Sequence, residues 1–118
     1  IYGPGQRSSS LIPHIMNSLK FGNAPQVKDK KAAHDFVFVE DVAKALCDIL
    51  EKHKIGQSNV YNIGRGKLTS VSNILDLCLG KKSSSTKGRG FYADISRIKK
   101  EIGWRPKTTI LAGIKKMC

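Results

Sequence analysis

Asp35-Phe-Val-Phe-Val-Glu-Asp-Val42 carries two signals in eight residues. Phe36-Val-Phe-Val39 is β-branched and aromatic throughout, which predicts a strand. Asp41 then offers an N-cap, and Val42, Leu46, Ile49 and Leu50 make an apolar stripe at helical spacing. Lys52-His-Lys54 suits the negative end of that helix, and Gly56 can end it. A strand running straight into a helix makes the chain α/β.

The flanking sequence repeats the theme with shorter pieces. Upstream, Ser8-Ser-Ser10 can cap a helix on Leu11, Ile12, Ile15, Met16 and Leu19, with Pro13 tolerated in its first turn and Gly22 as its stop. Pro25 to Val27 reads as a short strand, and Lys28-Asp-Lys-Lys31 as a polar turn. Downstream, Val60-Tyr-Asn-Ile63 reads as a strand and Gly64-Arg-Gly66 as a turn. Ser70 can cap a helix on Val71, Ile74, Leu75 and Cys78 that stops at Gly80. Residues 81–90 are low in complexity and read as a loop. Asp94 can cap a helix on Ile95, Ile98 and Ile102 that ends at Gly103, and Thr108 or Thr109 can open a last one on Leu111 and Ile114. Trp104 is expected to pack that last helix against the body. Three or four short strands are few for an independent α/β sheet.

Composition narrows the class. The 118 residues fit one domain with a real core, and 40% apolar with 25% charged residues is ordinary globular usage. No apolar run reaches the roughly 18 residues of a membrane span. Ile1-Tyr-Gly-Pro4 reads as a turn rather than a leader, and the lack of an initiator Met points to a lost upstream part or a removed start. Cys47, Cys78 and Cys118 form no C-x-x-C pair; two sit at apolar helix positions and read as buried thiols, which suits a reducing cytoplasm. Twenty-one Lys and Arg against nine Asp and Glu give a net charge of +12, a surface that attracts phosphate-bearing partners.

Six pieces then occur in a telling order: Tyr2-Gly-Pro-Gly5, Leu11-Ile-Pro13, Asp35-Phe-Val-Phe-Val-Glu-Asp-Val42, Tyr61-Asn-Ile-Gly64, Ala93-Asp94 and Ile102-Gly-Trp-Arg-Pro106. Together they cover nearly the whole chain. In them the sequence resembles the C-terminal, substrate-binding part of the NAD-dependent nucleotide-sugar epimerase/dehydratase family, the extended short-chain dehydrogenase/reductases. The resemblance implies an α/β fold over residues 1–118, the small substrate-binding lobe, with the N-terminal Rossmann domain missing. It implies a nucleotide-diphosphate sugar as partner and NAD as cofactor of the full-length protein, with none expected for this chain alone. It also implies that strands such as Val60 to Ile63 border the Rossmann sheet, so that the isolated chain would self-associate to cover the bared surface.

Carried over residue by residue, the resemblance places Ser10 and Leu11 along the nucleotide and Val27 beside the base. It places a phosphate-clamping basic residue at the position of His34, and a second at Lys87 or Arg89. The family's clamp is an Arg, whose fork grips two oxygens; a neutral imidazole cannot do this. The family's proton transfer resembles Tyr-x-x-x-Lys. Here Tyr2 is followed four residues later by Gln6, Tyr61 by Arg65 and Tyr92 by Ser96. Nor does Gly3-Pro-Gly5, Gly64-Arg-Gly66 or Gly88-Arg-Gly90 extend to the Gly-x-x-Gly-x-x-Gly cofactor loop. The expectation is a non-catalytic piece that holds substrate. The resemblance implies that the parent chemistry is hydride removal to NAD at the sugar C4, followed by epimerisation or dehydration and hydride return.

Other chemistries find little support. His14, His34 and His53 have no metal-ligand spacing with each other or with the cysteines, so no metal is expected. Specific nucleic-acid binding would rest on charge alone, without a recognised motif. The alternative reading is a stand-alone basic module that binds polyanions or assembles with itself.

Overall fold

A computed structural model describes residues 1–52, 59–82 and 88–118. Five helices dominate: α1 (Leu11–Lys20), α2 (Val39–Lys52), α3 (Val71–Cys78), α4 (Ser96–Glu101) and α5 (Ile110–Lys116). The strands β1 (Ala33–His34) and β2 (Thr69–Ser70) pair antiparallel, Ala33 opposite Ser70 and His34 opposite Thr69. Two isolated parallel bridges join Tyr2 to Phe38 and Ala32 to Arg89. The mixed α/β character read from sequence holds, but its strands are short and partly displaced.

Local signals place most helix ends. The Ser70 hydroxyl accepts from Asn73 N–H and the Thr109 hydroxyl from Ala112 N–H, each satisfying an otherwise orphan donor. Asp94 accepts from Ser96 N–H at 2.9 Å just ahead of α4. Gly22, Gly80 and Gly103 take positive φ where α1, α3 and α4 stop, a conformation costly for side chains with a Cβ. The predicted stop at Gly56 lies outside the described residues.

Two apolar clusters form the core. Tyr2, Ile12, Ile15, Phe38, Ile74, Ile110 and Ile114 pack α1, α3 and α5 around the N-terminal segment. Ala45, Ile95, Ile98, Ile102 and Trp104 pack α4 against α2. Trp104 therefore joins α2 to α4, and its indole N–H donates to Asp41 O at 3.0 Å.

Several expectations are corrected. The strand expected at Phe36 to Val39 lies earlier, at Ala33–His34, because Val39 already begins α2. Phe38 contributes only its bridge to Tyr2, where Val39 N–H donates to Tyr2 O. Asp41 does not cap α2. It is buried, and its carboxylate accepts from Lys107 N–H at 3.2 Å and Thr108 N–H at 2.9 Å. The buried side of α2 is Asp41 and Ala45 with Ile49 packed nearby, whereas Leu46 and Leu50 are 54% and 80% exposed. In α5 the buried residues are Ile110, Gly113 and Ile114; Leu111 faces out. Cys47 is exposed, and Cys78 is half-buried.

Pro25 to Val27 and Val60 to Ile63 form no strand. Side chains rather than a ladder hold the second segment. Arg97 donates to Val60 O and Asn59 Oδ1 and lies over the Tyr61 ring, while the Tyr61 hydroxyl donates to Glu101 at 2.7 Å. The molecule is elongated, 53 × 28 × 22 Å, with a radius of gyration of 15.8 Å. A compact chain of this length would give about 13.5 Å. Among the described residues, no helix is long and apolar enough to cross a membrane.

Tyr2 is a closely held aromatic residue of the first cluster. It packs edge-on against Phe36 and Phe38, and its hydroxyl sits against Gly113, where any Cβ would collide with it. Burial pushes the Tyr2 phenol from its ordinary 10.0 up to about 12, with Arg65 opposing the shift and Asp41 adding to it. Burial likewise pushes the Cys78 thiol from 9.0 up to about 11. Both groups favour the folded state while neutral, so their contributions are complete at neutral pH and are lost as pH rises through the raised values. Stability measured by denaturant unfolding should therefore fall between about pH 9 and pH 12. The Tyr2 share, on the order of 2–3 kcal/mol, should fall above pH 10 and be absent in Y2F. An equally steep loss above pH 10 in Y2F would refute this assignment.

Candidate functional site

A cleft of about 740 Å³ is lined by residues 33–35, 62–63 and 89–94. It lies where β1, the segment after Val60 and the segment leading into α4 meet. Asp35 organises this meeting. Its carboxylate accepts from Arg65 N–H at 2.7 Å, Gly66 N–H at 3.0 Å and Ala93 N–H at 3.1 Å. Asn62 adds a side-chain donor to Asp94 O at 3.2 Å. The cleft walls are thus tied at the backbone.

Two of the predicted phosphate ligands face this cleft. His34 is exposed on β1, its ring edge-on to Phe36 at 5.8 Å. Arg89 reaches the same cleft because its backbone is locked to the neighbouring segment: Ala33 N–H donates to Arg89 O and Arg89 N–H to Lys31 O. The Arg89 guanidinium pairs with Asp29 at 3.3 Å on the surface. Asp29 in turn accepts from Lys31 and Ala32 N–H, closing the polar turn read from sequence, and these backbone donors, chiefly Lys31, hold its carboxyl below the usual range.

The other predicted ligands lie elsewhere. Ser10 is the N-cap position of α1, with no side-chain cap bond. Leu11 and Val27 are half-buried against the first core cluster, and neither lines the cleft. Lys87 lies outside the described residues. The cleft also shows residues that the sequence reading did not single out as ligands. Phe91 and Tyr92 stand exposed on its wall, Phe91 at 91%, beside Arg89. The signal was present in Arg89-Gly-Phe-Tyr92, a basic residue followed by two aromatics.

A nicotinamide dinucleotide needs glycines whose missing side chains leave room for its phosphates. Gly64, Gly88 and Gly90 leave room for the chain itself. A Cβ at Gly64 would lie 2.5 Å from the Asp35 carboxylate, one at Gly88 would strike the Ala33 side chain, and one at Gly90 would strike the Ala33 carbonyl. Among the described residues, no group of three or more His, Cys, Asp or Glu could hold a metal ion.

The model of the NAD dependent epimerase/dehydratase family matches residues 1–64, more than half of the chain. The chain belongs to this family. Among curated relatives of this epimerase/dehydratase chain, dTDP-glucose 4,6-dehydratase of Escherichia coli is 28% identical over 134 residues, covering 98% of this chain and 37% of its own length. The dTDP-4-dehydro-6-deoxyglucose reductase of Escherichia coli is 27% identical, covering 98% and 40%. Among solved structures, UDP-glucuronic acid 4-epimerase from Bacillus cereus, in complex with UDP-glucuronic acid and NAD, superposes with a TM-score of 0.83 at 20% identity, over 98% of this chain and 40% of that one. The dTDP-glucose 4,6-dehydratase from Bacillus anthracis, in complex with NAD, gives 0.75 at 28% identity over 98% and 40%. The chain thus has the fold of part of an extended short-chain dehydrogenase/reductase, and spans about two fifths of the length of these relatives.

The three bonds to Asp35 generate a prediction. In D35N the amide keeps one acceptor oxygen and turns an N–H₂ towards backbone N–H groups. Hydrogen bonds to charged groups contribute about 1.5–3 kcal/mol each, so D35N should lose on the order of 2–4 kcal/mol in denaturant unfolding. Hydrogen exchange should speed up at Arg65, Gly66 and Ala93. Unchanged exchange at these three amides would show that the carboxylate does not hold the cleft together.

Proposed function

We propose that this chain supplies part of the nucleotide-diphosphate-sugar cleft of an NAD-dependent epimerase/dehydratase, and that it binds without catalysing. The observation that carries this reading is the convergence of His34 and Arg89 on the cleft organised by Asp35. Relatives named for dTDP- and UDP-sugars support the ligand class. The chain's own part is to hold the diphosphate: Arg89 leaves Asp29 to grip phosphate oxygens, and His34 donates a single bond beside it. An exposed ion pair is worth only about 0–1 kcal/mol, so a phosphate can displace Asp29. NAD belongs to the full-length protein in this reading, because no Gly-x-x-Gly-x-x-Gly loop occurs in this sequence.

Calorimetric titration with UDP, dTDP, CDP and GDP, with NAD and a short DNA duplex as controls, tests this. Saturable binding of one diphosphate is expected, weakened about 10–100-fold in R89Q as a charge-assisted bond is lost, and strengthened in H34R. The net charge of +12 favours a second reading, a generic polyanion surface. Binding to every anion with equal affinity, fading together as salt rises, would favour that reading and overturn the first.

We also infer that the isolated chain covers a bare face with a second copy. Val39, Leu46 and Leu50 form one exposed apolar stripe on α2, Val60 is 78% exposed, and the chain is less compact than a self-sufficient domain. Light scattering over a tenfold concentration range should show the mean mass rising, with L50K shifting it towards the monomer. A constant monomer mass would refute the inference.

A further inference from the structure

Four of the five sulfur-bearing residues in this chain line one cavity. The chain has three Cys and two Met. Met16 of α1, Cys78 at the end of α3, and Met117 and Cys118 after α5 all face a space of about 400 Å³, with Leu19, Ile114, Asn17 and Lys20 completing it. Only Cys47 lies elsewhere, exposed on α2. The two cavity cysteines are unbridged and close enough to interact electrostatically. The Cys118 thiol is directed back onto α5, donating to Ile114 O at 3.6 Å. Their spacings of 62, 39 and 1 residues hide the cluster from any reading of ligand motifs. Packing three helices together creates it.

We propose that this cavity is a site for a soft monovalent metal ion, Cu(I), held by the Cys78 and Cys118 thiolates and assisted by the Met16 and Met117 thioethers. Thiolates and thioethers select Cu(I) over hard cations, and no carboxylate or imidazole side chain lines the cavity to recruit Mg²⁺ or Ca²⁺. On binding, two S–H bonds break, two Cu–S bonds form, and two protons leave to solvent. The bis-thiolate complex then carries one net negative charge, and the Lys20 ammonium at the cavity edge offsets it.

Competition for Cu(I) against bathocuproine disulfonate, in oxygen-free buffer with reductant, tests the proposal, with Ag(I) as an air-stable second probe. One ion per chain is expected. C78S should weaken binding by more than about 100-fold, because even outer-shell changes cost 10–100-fold. M16L, which preserves volume, should weaken it by a smaller factor while leaving the circular dichroism spectrum unchanged. C47S should have no effect. X-ray absorption at the copper edge should show a sulfur-only shell. Binding that survives C78S, binding lost in C47S, a nitrogen or oxygen shell, or a reduced chain that ignores Cu(I) but oxidises to a Cys78–Cys118 disulfide would each overturn the proposal.

Discussion

The Asp35 carboxylate is the constraint on which the cleft depends. With three backbone N–H groups from two remote segments converging on its two oxygens, it does what a sheet ladder would do in a larger α/β domain. The arrangement requires the turn at Gly64 to approach the carboxylate more closely than a side chain there would allow. Gly66 takes positive φ as the turn closes, which a residue without a Cβ does at little cost. The bonded groups are only partly shielded from water, so their value lies in fixing the relative positions of His34, Gly64 and Ala93 as much as in net stability.

Six residues later, Asp41 performs the same task for the other end of the molecule. Its carboxylate holds Lys107 and Thr108 N–H, its carbonyl takes the Trp104 indole, and α5 begins two residues after Thr108. The stretch from Asp35 to Asp41 thus forms a central rod, with Phe38 buried in the first cluster and Asp41 tied to the tryptophan of the second. An acid at each end fastens a segment that would otherwise be loose. Beside two short strands and two bridges, the Asp35 and Asp41 carboxylates bond five further backbone N–H groups.

Much of this was legible in the sequence. Helix starts at Ser70 and Thr109 and stops at Gly22, Gly80 and Gly103 depend on local chemistry, and local chemistry placed them. Strands and helix faces were read less well, because both are decided by distant partners. Val60 to Ile63 has strand composition, but the Arg97–Glu101 pair holds it by side chains. Leu46 and Leu50 are as apolar as any core residue, yet Trp104 settles on the Ala45 side of α2 and leaves them outside. The six ordered pieces identified the family, since order along the chain survives such local misreadings. They could not show that Ser10, Leu11 and Val27 would lie away from the cleft that His34 and Arg89 share, for that separation depends on how the segments fold back.

The cleft is built more firmly than it is charged. Its walls are joined through Asp35, but its basic side chains are an exposed imidazole and a guanidinium already engaged by Asp29. On the proposed reading, Asp29 therefore acts in two ways on an anionic ligand. It holds the guanidinium near the cleft before a ligand arrives, and so reduces the entropy lost when the fork engages phosphate. It also remains as a nearby negative charge once displaced, and so subtracts from affinity. At the surface both effects are small and screened by salt. The overall charge of +12 raises the local concentration of anions without selecting among them. Discrimination between ligands has to come from the shape fixed by the backbone and from the exposed Phe91 and Tyr92 rings beside Arg89, whose faces can stack on a planar group. On the proposed reading, charge would steer the ligand to this surface and geometry would make the surface specific.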